Sequence, residues 1–140
     1  MTLIETPVLV ERIAAVERHL ARVAAKLPAS EADFTPGSDA SDSVVLHLWQ
    51  ATQIVIDLAM SVCVRLHLGT PSSYADAFRR LAAGNKIDTA LAERLARAAG
   101  FRNIIAHAYE TVDLARVHRA ATTGPTDLRA FLAAVAQLSA

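Results

Sequence analysis

Cysteine is almost absent from this chain of 140 residues, which contains Cys63 alone. A single cysteine excludes an intrachain disulfide. Cys63 also lies in the most hydrophobic stretch of the sequence, so we expect a buried thiol that does not act as a nucleophile.

Long hydrophobic runs are absent as well. The longest, from Ile54 to Val64, is interrupted by Asp57 and Ser61 and falls well short of the ~20 residues that a membrane-spanning helix needs. The N-terminal segment has Glu5 before any basic residue and lacks the apolar core of a signal peptide. We therefore expect a cytoplasmic protein that does not bind a membrane.

The chain has no basic excess, because its 14 Lys and Arg residues are balanced by 14 Asp and Glu residues. Tight, sequence-independent binding of duplex DNA is therefore not expected. The charge is nevertheless uneven: residues 1–63 carry 4 basic and 8 acidic side chains (net −4), and residues 64–140 carry 10 and 6 (net +4). A basic C-terminal half attracts phosphate groups unless folding mixes the two halves.

Motifs for metal binding are also missing. The sequence contains no H-E-x-x-H, no cysteine cluster, and no paired carboxylates with histidine at ligand spacing. We expect neither a metal ion nor another cofactor.

Apolar residues at helical spacing fill most of the chain, and only five glycines and five prolines interrupt them. This pattern predicts one all-α domain covering residues 1–140. The first two predicted helices run from about Pro7 to Leu27 and from a cap at Ser41 or Asp42 to about Leu68. The next two run from a cap at Ser73 to about Gly84 and from a cap at Asp88 to about Tyr109. A short helix from Asp113 to Ala121 follows, and after a break at Thr122-Thr123-Gly124-Pro125 a last helix contains Leu128 and Leu138.

The second predicted helix is apolar on most of its circumference. Leu46, Ile54, Ile56, Met60 and Val64 lie at angles away from its main core stripe and also need burial. For a small domain, the simplest second covering surface is another copy of the chain. The pattern therefore predicts a homodimer.

A polar row runs along the same helix at steps of three and four residues and consists of Gln50, Gln53, Asp57 and Ser61. Two interpretations stay open: the row lines a cleft, or it is an ordinary exposed strip. Helix phase also makes Asp57 a candidate supporting residue that would orient a catalytic histidine or bind a ribose.

The most reactive segment comprises residues 102–109, Arg102-Asn103-Ile104-Ile105-Ala106-His107-Ala108-Tyr109, and has the pattern R-x4-H-x-Y. A histidine with a pKa near ~6.5 can take a proton from a ribose 2′-hydroxyl at neutral pH, and a guanidinium can stabilise charge on the attacked phosphate. The three apolar residues, from Ile104 to Ala106, are expected to anchor the segment in the core. Gly100, just before it, would permit a close approach or a slight bend.

The spacing within this segment poses a geometric problem. Arg102 and His107 are five residues apart, which separates them by about 140° around an ideal helix. They can converge if the helix ends or bends near His107, or if two copies of the segment face each other across a two-fold axis.

The segment resembles the signature of HEPN-domain proteins, in particular HepT-like ribonuclease toxins encoded beside a minimal nucleotidyltransferase antitoxin. The similarity extends over roughly residues 44–138. It includes Tyr74-Ala75-Asp76-Ala77-Phe78-Arg79-Arg80-Leu81 followed by Gly84, Leu91-Ala92-Glu93-Arg94-Leu95, and Ala98-Ala99-Gly100-Phe101-Arg102-Asn103.

The resemblance implies a homodimeric, antiparallel HEPN bundle of about four main helices plus one or two short ones. It implies a toxin of a type II/VII-like toxin–antitoxin pair that cleaves RNA without a metal ion at a dimer cleft and leaves 2′,3′-cyclic phosphate ends. Arg102 and His107 would be catalytic, with support from Asn103. Tyr109 would be the residue to which the nucleotidyltransferase attaches AMP, neutralising the toxin.

Two other functions are compatible with the helical pattern. The first is a noncatalytic module that binds a nucleotide or a partner protein beside a nucleotidyltransferase. The second is a structural dimerisation domain. The joint presence of Arg102, His107 and Tyr109 favours the ribonuclease, because a scaffold does not need all three residues.

Overall fold

A computed structural model describes residues 4–108 and 113–139 of the chain, with the backbone alone at 106–108. In these ranges the protein contains five α-helices, one 3-10 helical turn and no strand. The helices are α1 (Thr6–Lys26), α2 (Asp39–Arg65), α3 (Tyr74–Ala83), α4 (Thr89–Ala108) and α5 (Leu114–Ser139), and the turn is Glu31–Asp33. The prediction of an all-α fold is confirmed.

Helix α2 lies at the centre of the bundle and contacts each of the other four helices. This position explains why the helix is apolar nearly all round. Ile56 is buried, and Ile54 and Met60 pack against the core at its edge. The chain's own helices therefore cover much of the surface for which a second copy was expected, while Leu46 and Val64 are 50% and 58% exposed.

The length and composition of α2 would allow it to cross a membrane, and it is the one helix of the described ranges that would. Half of its most apolar 18-residue window is buried against the rest of the bundle. That is the pattern of a core helix.

Two clusters of buried side chains form the core. The larger joins all five helices and includes an edge-to-face pair of Phe78 and Phe131, whose ring centroids are 5.6 Å apart. The smaller packs Val44, Leu48 and Ile105 with residues of α1 and α5. This smaller cluster supports the C-terminal half of α4, where the catalytic residues were predicted.

Helix α5 corrects the prediction of two helices separated by Thr122-Thr123-Gly124-Pro125, because it is continuous through Pro125. The buried positions explain this result: Ala121 and Leu128 are seven residues apart, so the core-facing side keeps its phase across the segment. The hydroxyls of Thr122 and Thr123 also stay within the helix and donate to the carbonyls four residues earlier.

The helix starts confirm two predicted caps and correct a third. The Ser73 hydroxyl accepts from the Asp76 N–H at the start of α3, and the Asp88 carboxylate accepts from the Ala90 N–H at the start of α4. Helix α2, however, is capped by Ser38, three residues before Ser41. Ser41 is buried in the first turn, where its hydroxyl donates to the Ser38 carbonyl.

Helices α2 and α3 end in the same way, with a left-handed residue just after the cap. These residues are His67 and Asn85, each with φ of 58°. The next N–H, of Leu68 or Lys86, bonds to the carbonyl five residues earlier. Helix α3 thus ends near Gly84, its C-cap, as predicted, but the left-handed backbone belongs to Asn85.

Cys63 is buried, as expected, with its Sγ 3.3 Å from the Ala77 carbonyl oxygen to which it donates. Burial raises the pKa of this thiol. The cysteine therefore joins α2 to α3 as a packing residue.

Candidate active site and arginine-lined cavity

Arg102 lies on α4, where its half-buried side chain is held by aromatic rings. Its guanidinium carbon is 4.5 Å from the ring centroid of Trp49 on α2 and 5.8 Å from that of Tyr74 on α3. Its Nη1 donates to the side-chain oxygen of Asn103 at 3.1 Å. Three elements of the fold thus position one guanidinium.

Several other arginines of the described residues bind carboxylates. Arg79 pairs with Glu93 and Arg94 with Asp127, at 3.1 and 2.9 Å. None of the ion pairs among residues 4–108 and 113–139 includes Arg102, and its buried Nε has no hydrogen-bond partner. Stacking on rings fixes the position of Arg102 without neutralising its charge, which suits a group that must meet a phosphate.

Helix α4 continues through both proposed catalytic positions, since it runs from Thr89 to Ala108. The helix therefore does not end between Arg102 and His107. Their backbones are separated by about 140° around its axis and about 7.5 Å along it. The side chain of His107 lies outside the described residues, and so does all of Tyr109.

The predicted anchoring of the segment is correct at one position and wrong at another. Ile105 is buried, whereas Ile104 is 42% exposed. Neighbouring residues on a helix are about 100° apart, so both cannot face the same core. Ala106, the third predicted anchor, has its side chain outside the described residues.

Of the two predicted roles of Gly100, the close approach is wrong, and the slight bend stays a prediction. It is exposed within α4, and a Cβ built there would have no heavy atom within 4 Å. The helix passes through this position without ending.

The polar row on α2 is only partly exposed, because Asp57 is exposed while Gln50, Gln53 and Ser61 are half-buried, so both interpretations of the row stay open. The Gln53 amide donates to Asp57 at 2.8 Å, and Arg65 donates to Ser61 at 3.4 Å. Asp57 lies outside the set of residues that line the cavity beside Arg102. Its supporting role stays a prediction.

A cavity of about 300 Å³ opens beside Arg102, between α2, α4 and α5. We call it the arginine cavity, because five guanidinium side chains line it with one carboxylate. The charged lining residues are Arg94, Arg97, Arg102, Arg116, Arg119 and Asp127. The rest of the lining is largely apolar and includes Trp49, Phe101 and Leu128.

Sequence reasoning missed this group of residues. The available signal was the +4 net charge of the C-terminal half, together with arginines three residues apart at 94 and 97 and again at 116 and 119. Residues at that spacing share a helix face. Which two faces would meet could not be read from the spacing.

The described residues contain no group of three or more histidine, cysteine or acidic side chains placed to hold a metal ion. The arrangement beside Arg102 is instead suited to anions, with guanidinium donors over an apolar floor. Such donors bind phosphate oxygens and stabilise negative charge that develops on them.

Comparison with known proteins gives matches over most of the chain. The family model described as "Ribonuclease HepT-like" matches residues 16–135. The chain is 30% identical over 107 residues to the mRNA nuclease HepT of Shewanella oneidensis, a match that covers 76% of this chain and 80% of the relative.

Solved structures match the fold closely. A tri-AMPylated HEPN toxin of Shewanella oneidensis in complex with its MNT antitoxin has a TM-score of 0.81 at 26% identity, covering 95% of this chain and 99% of that one. The cytosolic protein YutE of Bacillus subtilis has a TM-score of 0.80 at 14% identity, covering 99% and 92%, and supports the fold alone.

Proposed function

Because the chain belongs to the HepT-like ribonuclease family, we propose that it is a metal-independent RNA endonuclease and the toxin of a toxin–antitoxin pair. The observation that carries this proposal is the position of the Arg102 guanidinium and its lack of an ion pair among the described residues. Two aromatic rings hold its guanidinium at the edge of a cationic cavity, and its charge is not taken up by an ion pair among the described residues.

The proposed reaction is an internal transesterification of RNA. His107 accepts the proton of a ribose 2′-hydroxyl, and the 2′-oxygen attacks the adjacent phosphorus. The bond from phosphorus to the 5′-oxygen breaks, and that oxygen takes up a proton as it leaves. Arg102 stabilises the negative charge on the phosphate oxygens during the attack. The products are a 2′,3′-cyclic phosphate and a 5′-hydroxyl.

The continuous helix α4 favours a site shared between two copies of the chain. The backbone positions of Arg102 and His107 are about 140° apart around α4, which disfavours their convergence on one phosphate within a single chain. We place the active site where Arg102 of one protomer approaches the partner's His107 across a two-fold axis. Asn103 would hold Arg102 through its 3.1 Å hydrogen bond, and Asp57 would assist from α2.

We further propose that a minimal nucleotidyltransferase neutralises the toxin by attaching AMP to Tyr109. The support is the Shewanella relative, whose structure is described as tri-AMPylated and in complex with an MNT antitoxin. Tyr109 is two residues from His107. A bulky anionic adduct there would obstruct the RNA and repel its phosphates.

The cleavage proposal is tested with labelled single-stranded RNA in excess chelator. Wild type should cleave it and leave cyclic-phosphate ends, and the same sequence as DNA should resist because it lacks the 2′-hydroxyl. His107→Ala and Arg102→Ala should each lower the rate at least about 100-fold. Both variants should elute as wild type does on a sizing column.

Equal cleavage by wild type and His107→Ala would contradict the mechanism. Absence of cleavage by unmodified wild type would instead favour the second function, a noncatalytic module that binds a nucleotide or a partner protein. Cleavage that disappears in chelator would contradict the metal-independent reaction.

The modification site is tested with Tyr109→Phe, which removes the acceptor oxygen and keeps the ring. The variant should cleave RNA as wild type does and should not be labelled when a cognate nucleotidyltransferase is supplied with radiolabelled ATP. Labelling of the variant at the wild-type level would show that another residue accepts AMP.

A further inference from the structure

We propose that the arginine cavity is a nucleotide subsite, which binds one nucleotide of single-stranded RNA beside the phosphate that is cleaved. The inference rests on the proposed ribonuclease function and specifies where part of the RNA substrate binds. Arg97 and Arg116 would bind phosphate, and the apolar floor would take the base.

The charge of the cavity supports an anionic occupant. Five guanidinium groups and one carboxylate line it, and that carboxylate, on Asp127, already accepts from Arg94 at 2.9 Å. Arg119 reaches Glu31 only at 3.9 Å, and both side chains are more than half exposed. Among the described residues, the cationic charge of the lining is therefore only partly compensated, and it attracts phosphate.

The arginines of α4 and α5 face one another across the cavity. Arg94, Arg97 and Arg102 line the cavity from α4, with Arg97 and Arg102 about 140° apart at the two edges of the lining, and Arg116 and Arg119 line it from one face of α5. The lining positions on α4, from 94 to 105, extend over about 16 Å of helix, and those on α5, from 116 to 127, over the same length. A phosphate between these helices can contact guanidinium groups from both sides.

The floor of the cavity is apolar and suits a base. It is formed by Leu48, Ala98, Ile105, Ala120 and Leu128. A flat, partly apolar ring fits between such a floor and guanidinium planes, on which RNA bases can stack.

Aromatic rings hold two of the guanidinium planes in place. Arg116 lies over the ring of Phe101, with its guanidinium carbon 5.0 Å from the ring centroid, and Arg102 lies 4.5 Å from that of Trp49. Stacked guanidinium groups lose less conformational freedom when they bind an anion, so the cavity is organised before the ligand arrives.

The position of Arg102 favours RNA over an acidic protein segment. Arg102 both lines the cavity and is the proposed phosphate-stabilising residue of the cleavage reaction. A nucleotide in the cavity would therefore be continuous with the strand that Arg102 contacts. The volume of about 300 Å³ is at the lower end for small-molecule sites, which fits a single nucleotide and excludes a duplex.

Trp49 makes the proposal directly measurable, because it is the only tryptophan in the chain and it lines the cavity. We would titrate the full-length protein with a 2′-O-methyl RNA oligonucleotide, which cannot undergo the proposed cleavage. Wild type should show a saturable change in tryptophan emission. The double variant Arg97→Gln/Arg116→Gln should bind at least about tenfold more weakly. Its salt slope, the slope of log affinity against log salt concentration, should become smaller in magnitude by about 1.4 if two phosphate contacts are lost.

Two further variants separate charge from structure. Arg97→Lys/Arg116→Lys keeps both charges and should largely retain the wild-type salt slope. Arg12→Gln/Arg65→Gln removes the same net charge from two exposed arginines that do not line the cavity, and it should bind within about twofold of wild type. Circular dichroism and thermal unfolding would establish that all variants are folded.

Wild-type affinity in Arg97→Gln/Arg116→Gln, or equal weakening in the Arg12/Arg65 control, would overturn the subsite even if wild type cleaves RNA. An unchanged Trp49 emission at saturating RNA would also overturn it and would leave an acidic protein partner as the occupant. Conversely, weakened RNA binding in the cavity variant alone would support the subsite even if wild type did not cleave.

Discussion

Two cavities of the described structure share a wall, α5, and differ in charge. The arginine cavity, of about 300 Å³, is lined by five arginines and one aspartate. The second cavity, of about 460 Å³, lies between α1, the following loop and α5, and its lining contains one arginine, Arg129, and no carboxylate. The larger space is thus the less charged one.

Arg129 and His118 in the second cavity already have partners. Both Nε and Nη2 of Arg129 donate to the carboxylate of Glu17, at 2.9 and 3.1 Å, and this hydrogen bonding lowers the pKa of Glu17. The ring nitrogen Nε2 of His118 donates to the Pro28 carbonyl at 2.7 Å. Polar groups there fasten α5 to α1 and to the loop. Charge among the described residues, and not volume, is therefore the reason for proposing the arginine cavity as a binding site.

The strongest test of this difference uses two neighbouring threonines of α5. Thr123 lines the arginine cavity and Thr122 lines the second cavity, and each is exposed and donates to a carbonyl four residues earlier. Thr123→Glu should weaken the binding of 2′-O-methyl RNA on the order of tenfold, because the new carboxylate offsets a guanidinium and repels phosphate. Thr122→Glu should change it less than about twofold. Fluorescence anisotropy of labelled RNA would measure both.

Each threonine variant is the control for the other. Both substitutions remove a hydroxyl bond to the carbonyl four residues earlier in α5, and both add one negative charge. Equal losses of affinity would mean that net charge alone governs RNA binding. The distinction between the two cavities would then be wrong.

A smaller effect, on stability, is expected at Gly100. This residue precedes the cavity residues Phe101 and Arg102 in the sequence but does not line the cavity. Gly100→Ala should raise the free energy of unfolding by about 0.5–1 kcal/mol, because alanine favours the helix and a Cβ has free space there. Urea denaturation would measure the gain. RNA cleavage should be unchanged; reduced cleavage or stability would show that α4 needs glycine at this point.

The smallest expected effect concerns the α1 side of the bundle, where Nδ1 of His19 lies 2.9 Å from Nδ1 of His47. Burial, together with the nearby His47 and Arg18, lowers the pKa of His19. Below about pH 6.5 the unfolded chain therefore binds a proton that the folded chain resists. The free energy of unfolding should fall as the pH drops through this range.

His19→Gln removes that titration, so its free energy of unfolding should depend less steeply on pH than that of wild type between about pH 7.5 and about pH 5.5. Urea denaturation at several pH values gives the slope directly. Identical slopes for wild type and variant would show that the folded protein does not resist protonation of His19.

Local signals predicted much of the fold. Ser73 and Asp88 begin helices as capping residues should, and Cys63 is buried because it lies in the most apolar part of α2. The break predicted at Thr122–Pro125 failed for a physical reason. Packing of the flanking apolar face outweighs the helix-breaking tendency of one proline and one glycine.

For the candidate site, the sequence predicted the residues of the motif but not the residues of other helices that surround them. Arg102 and Asn103 are in contact, but the placement of Arg102 beside the rings of Trp49 and Tyr74 depends on α2 and α3, which are far away in sequence. Periodicity shows which residues share a helix face. It does not show which faces of different helices meet.

The sequence by itself determined the helical class, most of the helix boundaries and the family, because these depend on short-range spacing and on a motif within eight residues. Only the tertiary structure decided that α2 is covered by four helices and that five arginines of α4 and α5 line one cavity. The physical reason is that charge and burial depend on distances between helices, and the packing of the whole bundle sets those distances.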